Sequence, residues 1–241
     1  MSGAVLGVIG GLGPLSTGNF LQLVTEMTEA PSQGDRLDTV IYDFPPIPDH
    51  TGYILGSNLR SPLPGLLWAG RELDRKEVQT IAIPCVTAHF FYDELSRELR
   101  RPIIQDIRAT AVYLKERGIG SVGILATEGT VMSGLFSQEL LPVGIRPVLP
   151  DRRGQQDVNH LIYQNIKAGL PAEMDRLRRV ERDLRSRGAE VIVLGCAELS
   201  VLAQQQPLGP GFLDSAQILA RESILRCGKR LKPEYHELIS A

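Results

Sequence analysis

Two cysteines occupy similar positions in the two halves of the chain. Cys85 follows the apolar run TIAIP at 80–84, and Cys196 follows EVIVLG at 190–195. Each run predicts a buried parallel strand, and open α/β sheets bind ligands at the carboxyl ends of such strands. A lone cysteine is readily explained as a small buried hydrophobe, but two at equivalent places favour a chemical role. Two thiols on opposite sides of one carbon can remove a proton from one face and return it to the other.

The ordinary acidity of a thiol suits both halves of such a reaction. With a pKa of about 8.5, a cysteine can serve either as the thiolate base or as the thiol acid. A helix that begins directly after each cysteine would point its N–H groups and its positive end at the sulfur. The third cysteine, Cys227, lies within a predicted helix and is interpreted as packing. Three cysteines at long spacings predict a reduced, cytoplasmic protein rather than a disulfide framework.

A weak internal duplication supports the equivalence of the two cysteines. GVIGGLGP at 7–14 and GILATEGT at 123–130 both follow a predicted strand, at an offset of 116 residues, and the two cysteines lie 111 residues apart. A repeat near half of the 241 residues predicts two similar α/β lobes with parallel sheets, related by a pseudo-twofold axis, with the active site in the cleft between them. We predict a first lobe from 1–105 plus 213–241 and a second from 106–212.

The elements that must position these residues alternate between apolar runs and amphipathic segments. This rhythm is typical of parallel strands covered by helices on both faces. The predicted strands are 4–10, 38–44, 80–84, 102–107, 121–126, 145–150 and 190–195. The predicted helices are about 15–29, 63–75, 109–118, 132–141, 155–168, 172–187 and 216–231, with a Pro-rich loop at 45–56. The final helix is expected to pack back on the first lobe.

Composition excludes several classes of protein. There are 26 basic and 28 acidic residues, so the net charge of −2 does not predict a nucleic-acid partner. No apolar run approaches the roughly 18–20 residues that span a bilayer, so no membrane association is expected. The N-terminal segment lacks a basic region and runs directly into a predicted strand, which is unlike a signal peptide. No group of His, Cys, Asp and Glu has metal-ligand spacing, so no metal is predicted.

Several polar groups near the predicted strand ends are candidates for substrate binding. The turn at 10–13, which includes Gly11 and Leu12, can present backbone N–H groups to a carboxylate or can be a plain tight turn. Thr87 and Thr127 lie beside strand ends and are candidates for holding the substrate carboxylate.

Five motifs together resemble a known family. They are GGLGPLST (10–17), IPDHTGYILG (47–56), PCVTAHFF (84–91), LATEGTVMSG (125–134) and GCAEL (195–199). The chain resembles the cofactor-independent aspartate/glutamate racemases, most strongly their aspartate racemase branch. The resemblance implies two Rossmann-like lobes, no pyridoxal phosphate or other cofactor, no metal, and a homodimer. It also implies that Cys85 and Cys196 are the acid/base pair of a 1,1-proton transfer.

The sequence departs from this family at three positions around the substrate. Val86 stands where the family has Asn, Ala197 where it has Thr, and His50 where aspartate-specific members have Arg. Losing such a polar partner costs on the order of 1–3 kcal/mol per group. The departures therefore imply either a different, more apolar substrate or weak activity on aspartate.

Three further residues have both a functional and a plain interpretation. Lys167 matches a family lysine that contacts the distal carboxylate, but it can also be an exposed lysine near a helix end. Glu198 can assist the acid/base pair or cap a helix. His89 is expected to position the Cys85 loop rather than to transfer a proton.

Three functions therefore remain open from the sequence. The first is a cofactor-independent amino-acid racemase or epimerase that acts on a small amino acid or dicarboxylate. The second is a related isomerase or lyase acting on a small dicarboxylate or a non-standard amino acid. The third is a ligand-binding protein that has lost racemase activity. For the first, the two sulfurs are expected roughly 7–10 Å apart when the cleft is closed, with one carbon between them.

Overall fold

The structure is a computed structural model that describes residues 4–44 and 46–241. The first three residues of the predicted first lobe lie outside the described residues. So does Pro45, the first residue of the predicted loop at 45–56.

Two parallel sheets form the framework of the described chain. The strands are β1 (Val5–Gly10), β2 (Asp38–Asp43), β3 (Thr80–Ala82), β4 (Ser121–Leu125), β5 (Arg146–Val148), β6 (Val191–Leu194) and β7 (Phe212–Asp214). The first sheet has the order β2-β1-β3 and the second has the order β5-β4-β6-β7, and every strand pair is parallel. The predicted α/β fold with two parallel sheets is therefore confirmed. Both sheets place the first strand of their lobe in the centre and the strand that precedes a cysteine beside it.

Helices connect the strands. They are α1 (Pro14–Met27), α2 (His50–Ile54), α3 (Leu63–Arg75), α4 (Tyr92–Glu98), α5 (Asp106–Glu116), α6 (Glu128–Met132), α7 (Leu135–Leu140), α8 (Arg152–Asn159), α9 (Met174–Ser186), α10 (Ala197–Gln205) and α11 (Ser215–Arg226). A 3₁₀ helix covers Val86–Phe91, and a π-helix covers His160–Ile166. None of the helices in the described ranges is long and apolar enough to cross a membrane.

The two sheets share one apolar core. Leu6 and Val8 of the first sheet and Val122 and Ile124 of the second belong to the same buried cluster as Ile218 of α11. Helix α11 packs against α1, α5 and β3, so the final helix does contact elements beside the first sheet. Burying its apolar face against both sheets fixes their relative position.

Several predicted elements differ from those in the structure. The predicted strand 102–107 is reduced to a single parallel bridge between Ile81 and Ile103, because α5 already begins at Asp106. The predicted helix 132–141 is divided by Gly134, whose φ of 70° lies in the left-handed region. The predicted helix 155–168 changes from α to π winding at His160.

Two elements were not predicted. Helix α2 was missed, and so was β7, a strand of only three residues. Strand β7 crosses the predicted lobe boundary between residues 212 and 213 and pairs with β6 of the second sheet. The division of the chain into 1–105 plus 213–241 and 106–212 stays a prediction.

Candidate active site

The two cysteines line one small cavity at the carboxyl ends of the two sheets. Cys85 is the N-terminal cap residue of the 3₁₀ helix that follows β3, and Cys196 is the cap residue of α10, which follows β6. The cavity has a volume of about 30 Å³, and both cysteines border it. The expected helix directly after each cysteine is thus present. The predicted separation of the two sulfurs stays a prediction.

The thiol of Cys196 is held as a proton donor. It is 4% exposed, and its Sγ donates a hydrogen bond to Oε2 of Glu198 over 2.9 Å. Burial raises the pKa of Cys196 well above its ordinary value, and the negative charge and hydrogen bond of Glu198 raise it further. The Glu198 N–H and the positive charge of Lys167 act in the opposite direction. Cys196 is therefore a thiol at neutral pH, hydrogen-bonded to the Glu198 side chain.

Cys85 has a different environment, in which no carboxylate of the described residues is bonded to its sulfur. It is partly buried, and burial followed by the charge of Glu198 raises its pKa to about 11. The backbone N–H groups of Ala88 and Thr87 and the charge of Lys167 lower the pKa in part. Any added positive charge in the cavity, such as a substrate ammonium group, would favour the thiolate of either cysteine.

Lys167 brings a cation to the same cavity. Its Nζ lies 3.5 Å from Oε1 of Glu198 and 5.0 Å from the centroid of the Tyr163 ring. Burial lowers the pKa of Lys167, but the charges of Glu198 and Cys196 outweigh burial and the net shift is upward. The lysine is therefore charged. The π-helix that ends at Ile166 carries Tyr163 and leads directly into Lys167, and π winding is frequently found at functional sites.

Contacts between the two lobes close the sides of the cavity. The hydroxyl of Tyr163 donates to Oγ1 of Thr51 over 3.1 Å. Thr87 lies 3.0 Å from the hydroxyl of Thr127 and 2.9 Å from that of Thr130, and the latter two are 3.0 Å apart. This triangle of hydroxyls is buried, and Thr127 also caps α6 by accepting from the Thr130 N–H. Three rotatable O–H groups at one corner can turn toward an anionic ligand.

The three positions that depart from the racemase pattern all border the cavity. Val86 is 4% exposed, and Ala197 opens α10 beside the second sulfur. His50 is the first residue of α2, and burial lowers its pKa to about 4, helped by Lys167 and opposed by Asp49. Its Nε2 atom has no hydrogen-bond partner among the described residues. The imidazole is therefore neutral.

The turn at 10–13 borders a wider pocket that adjoins the cavity. Gly11 and Leu12 line this pocket, whose volume is about 510 Å³, and Leu12 also lines the small cavity. The N–H of Gly11 donates to Oγ1 of Thr17 over 3.1 Å, so the turn uses that donor for its own structure. Gly11 has a φ of 83°, which glycine adopts without strain. A role for Gly11 in binding a carboxylate stays a prediction, and the bonded N–H argues against it.

His89 lies outside the cavity lining. It is 2% exposed in the 3₁₀ helix after Cys85, and burial lowers its pKa to about 4. Neither ring nitrogen has a side-chain partner among the described residues.

Sequence reasoning missed some of the cavity residues. These are Ser16, Asp49, Thr51, Pro84 and Tyr163. Signals for two of them were present. Tyr163 stands four residues before Lys167, which places the two on one helix face, and Asp49 precedes a helix as a capping residue. Across residues 4–44 and 46–241, no group of three His, Cys, Asp or Glu side chains is arranged to hold a metal ion.

The sequence of the chain matches a known family over most of its length. Residues 9–223 match the Asp/Glu/hydantoin racemase family. The chain belongs to this family. The crystal structure of Picrophilus torridus aspartate racemase superimposes with a TM-score of 0.84 at 30% identity, covering 97% of this chain and 98% of that one.

Two further similar proteins are more distant. The broad specificity amino-acid racemase RacX of Bacillus subtilis (strain 168) is 24% identical over 91% of this chain and 96% of its own length. Glutamate racemase from Francisella tularensis, at 15% identity and a TM-score of 0.63, shares the fold over 92% of this chain and 80% of that one. The family match, RacX and the Picrophilus aspartate racemase together support an isomerase that acts on amino acids.

Proposed function

We propose that the protein is a cofactor-independent amino-acid racemase in which Cys85 and Cys196 exchange protons with the substrate Cα. The observation that carries the proposal is that two cysteines from different sheets border one cavity of about 30 Å³. One thiolate removes the proton from Cα and becomes a thiol, and the electron pair is left on the carbon and its carboxylate. The other thiol then gives its proton to the opposite face and becomes a thiolate. The reverse reaction exchanges the two roles.

Glu198 and Lys167 control which cysteine is charged before the reaction. The Cys196 thiol is bonded to Glu198, so the carboxylate can take that proton and leave a thiolate next to the Lys167 ammonium. Without such a partner, a buried thiol with a raised pKa would be a poor base at neutral pH. Cys85 then holds the proton that will be delivered to the other face.

The anion formed on the substrate needs donors in a dry site. The hydroxyls of Thr87, Thr127 and Thr130 form one corner of the interface between the lobes, and Thr87 and Thr127 line the cavity. The N-terminus of α10 adds the positive end of a helix dipole beside Cys196. We propose that these groups and Lys167 hold the substrate carboxylate. The homodimer and the cytoplasmic location stay predictions.

The experiment that tests this function follows the substrate α-hydrogen in D₂O. A set of L-amino acids is incubated with the protein, and α-deuterium is measured by NMR together with the D/L ratio by chiral chromatography. A racemase incorporates deuterium and forms the other enantiomer. A protein that only binds amino acids leaves the α-hydrogen in place, and a lyase forms an unsaturated product, so either result would contradict the proposal.

A further inference from the structure

The wider pocket beside the cysteine cavity has room for a substrate side chain. The inner cavity has a volume of only about 30 Å³. The pocket that adjoins it measures about 510 Å³, and the two share Leu12, His50 and Lys167 among their lining residues. The wider pocket therefore gives room for the side chain of a substrate whose Cα lies between the cysteines.

The charges around the pocket disfavour a negatively charged side chain. Its lining contains two carboxylates, Asp49 and Glu198, and one ammonium group, Lys167. Lys167 already faces Glu198 at 3.5 Å and would also pair with the substrate α-carboxylate. A second carboxylate on the substrate would meet no further cation there, because the buried imidazole of His50 is neutral. A carboxylate that loses water without gaining a cation is disfavoured.

The outer wall of the pocket is apolar. Away from the cysteines it is formed by Leu12, Pro14, Leu15, Ile47 and Pro48. Leu15 is 57% exposed at the start of α1, so part of this wall is open to solvent. Next to the sulfurs, Val86 and Ala197 add apolar contacts to the inner cavity. Apolar surface of this kind gains free energy when it is covered by an apolar side chain.

From these features we infer that the substrate is an amino acid whose side chain is uncharged and at least as large as that of leucine or methionine. The side chain lies along Leu12, Leu15 and Ile47, and the α-carboxylate pairs with Lys167. His50 contributes a neutral side chain to the pocket lining. This inference rests on the proposed racemase function and adds the class of substrate to it.

The experiment compares kcat/KM for α-deuterium exchange among leucine, methionine, alanine, aspartate, glutamate and lysine. Leucine and methionine should exceed each of the other four by tenfold or more. If aspartate, glutamate or lysine is preferred, the protein is still a racemase but the inferred substrate class is wrong. If alanine is preferred, the pocket does not hold the side chain. If no amino acid exchanges, the proposed function itself fails, and this inference fails with it.

A pair of leucine variants tests whether the wall of the pocket selects the side chain. Leu15→Asp places a carboxylate at the pocket, and Leu141→Asp places one at a leucine of equal exposure, 58%, that does not line it. An acidic residue in the first turn is favourable for helix α1, so folding should be retained and is checked by circular dichroism. Leu15→Asp should raise KM for leucine by about tenfold with a smaller change in kcat, and Leu141→Asp should change neither. Equal KM values in both variants would contradict the inference.

A second variant tests whether the neutral imidazole of His50 disfavours an acidic substrate side chain. His50→Arg adds a second cation to the pocket beside Lys167, and it should raise kcat/KM for aspartate relative to leucine by tenfold or more. His236→Arg, which changes an exposed histidine far from the pocket lining, is the control. If His50→Arg folds and leaves the aspartate-to-leucine ratio unchanged, charge at this position does not set the substrate class.

Discussion

The two cysteine turns, residues 85–89 and 196–200, have related backbones and different side chains. Each turn follows the strand beside the centre of its sheet, and each cysteine caps the helix after it. Two residues beyond the cysteine stand Thr87 in the first turn and Glu198 in the second. In the first turn, Thr87 therefore bonds another hydroxyl group. In the second turn, Glu198 accepts from the Cys196 thiol and pairs with Lys167.

The turns differ again four residues beyond the cysteine. His89 of the first turn is buried with no side-chain partner for either ring nitrogen among the described residues. Ser200 of the second accepts from Nδ2 of Asn19 over 2.8 Å and donates to Oδ2 of Asp214 over 2.6 Å. The two turns thus place their sulfurs in equivalent positions, whereas Glu198, which pairs with Lys167, is bonded to the second sulfur. A pair of cysteines that exchange roles needs equivalent positions but not equal environments.

Removing either sulfur is expected to change activity more than any other substitution that tests this comparison. Cys85→Ala and Cys196→Ala should each lower D/L interconversion by roughly 10²–10⁴-fold, because one face of Cα loses its proton donor. Each variant should still exchange the α-hydrogen of one enantiomer, and the two variants should retain opposite enantiomers. Chiral chromatography and NMR in D₂O measure the two effects separately.

Cys227→Ala is the control for the cysteine variants. Cys227 is also buried, at 4% exposure, but it ends α11 away from the cavity. Its replacement should leave interconversion within about twofold of the parent, which separates the loss of a reacting sulfur from the loss of a buried thiol. Interconversion that survives in Cys196→Ala would show that the second turn supplies its proton from another group.

Sequence patterns were sufficient for the features that repeat along the chain. The apolar runs before Cys85 and Cys196 and their spacing placed both cysteines at strand ends, and the structure brings both to one cavity. The parts that could not be predicted depend on contacts between distant segments. The bond between Tyr163 and Thr51 joins residues 112 apart, and Glu198 meets Lys167 only when α10 packs against the π-helix.

The short elements could not be predicted from the sequence, for a physical reason. Strand β7 has three residues, too few to show a pattern, and it is fixed by pairing with β6 rather than by its own sequence. The equivalent segment of the first lobe, at Ile103, forms only one bridge, although its sequence predicts a strand. The local sequence predicted a strand at the Ile103 segment and none at β7, whereas the structure forms a strand at β7 and only one bridge at Ile103. Pairing with neighbouring strands decides which of the two segments forms a strand.

The buried histidine of the first turn should make stability depend on pH. Burial lowers the pKa of His89 from 6.5 to about 4, so the folded state resists a proton that the unfolded state accepts. Stability is therefore full above about pH 6.5 and is lost as the pH falls toward 4, by about 3 kcal/mol from this group at 1.36 kcal/mol per pKa unit. His89→Gln removes the titration and should reduce the loss by that amount in urea unfolding at pH 7 and pH 4.5.

The matched control is the exposed His236. His236→Gln should leave the difference in unfolding free energy between the two pH values as it is in the parent protein. If His89→Gln shows the same difference as His236→Gln, the first turn does not hold its histidine neutral.

Glu198→Gln should affect the second turn more than the first. It removes the charge and weakens the acceptor that raise the pKa of Cys196, so the pKa of that thiol should fall, and that of Cys85 should fall by less. Despite the more acidic thiol, interconversion should drop about 10–100-fold, because the proton of Cys196 loses its acceptor and Lys167 loses its partner. The pH dependence of iodoacetamide labelling measures the thiol pKa values.

Glu139→Gln provides the comparison for Glu198→Gln. Glu139 pairs with Arg108 at 3.0 Å outside the cavity lining, so its replacement removes an ion pair without touching either cysteine. Labelling rates should be unchanged in this variant. A Cys196 pKa that does not move in Glu198→Gln would mean that the carboxylate only caps α10.

The smallest expected effect concerns the network below the second turn. Ser200→Ala removes the hydroxyl that bonds Nδ2 of Asn19 and Oδ2 of Asp214, at a cost of about 1–3 kcal/mol, while Oδ1 of Asp214 keeps its bond from the Ala216 N–H. Burial raises the pKa of Asp214 to about 6 and Ser200 opposes the rise, so the ionised carboxylate is the form that needs this donor. The cost of the substitution should therefore be larger at pH 7.5 than at pH 5, where Asp214 is protonated in the folded protein.

Ser223→Ala is the control, because Ser223 is equally buried but bonds only the Leu219 carbonyl of its own helix. Urea unfolding of both variants at the two pH values separates the cases, since a pH-independent loss in Ser200→Ala would show that Asp214 is not the partner that matters.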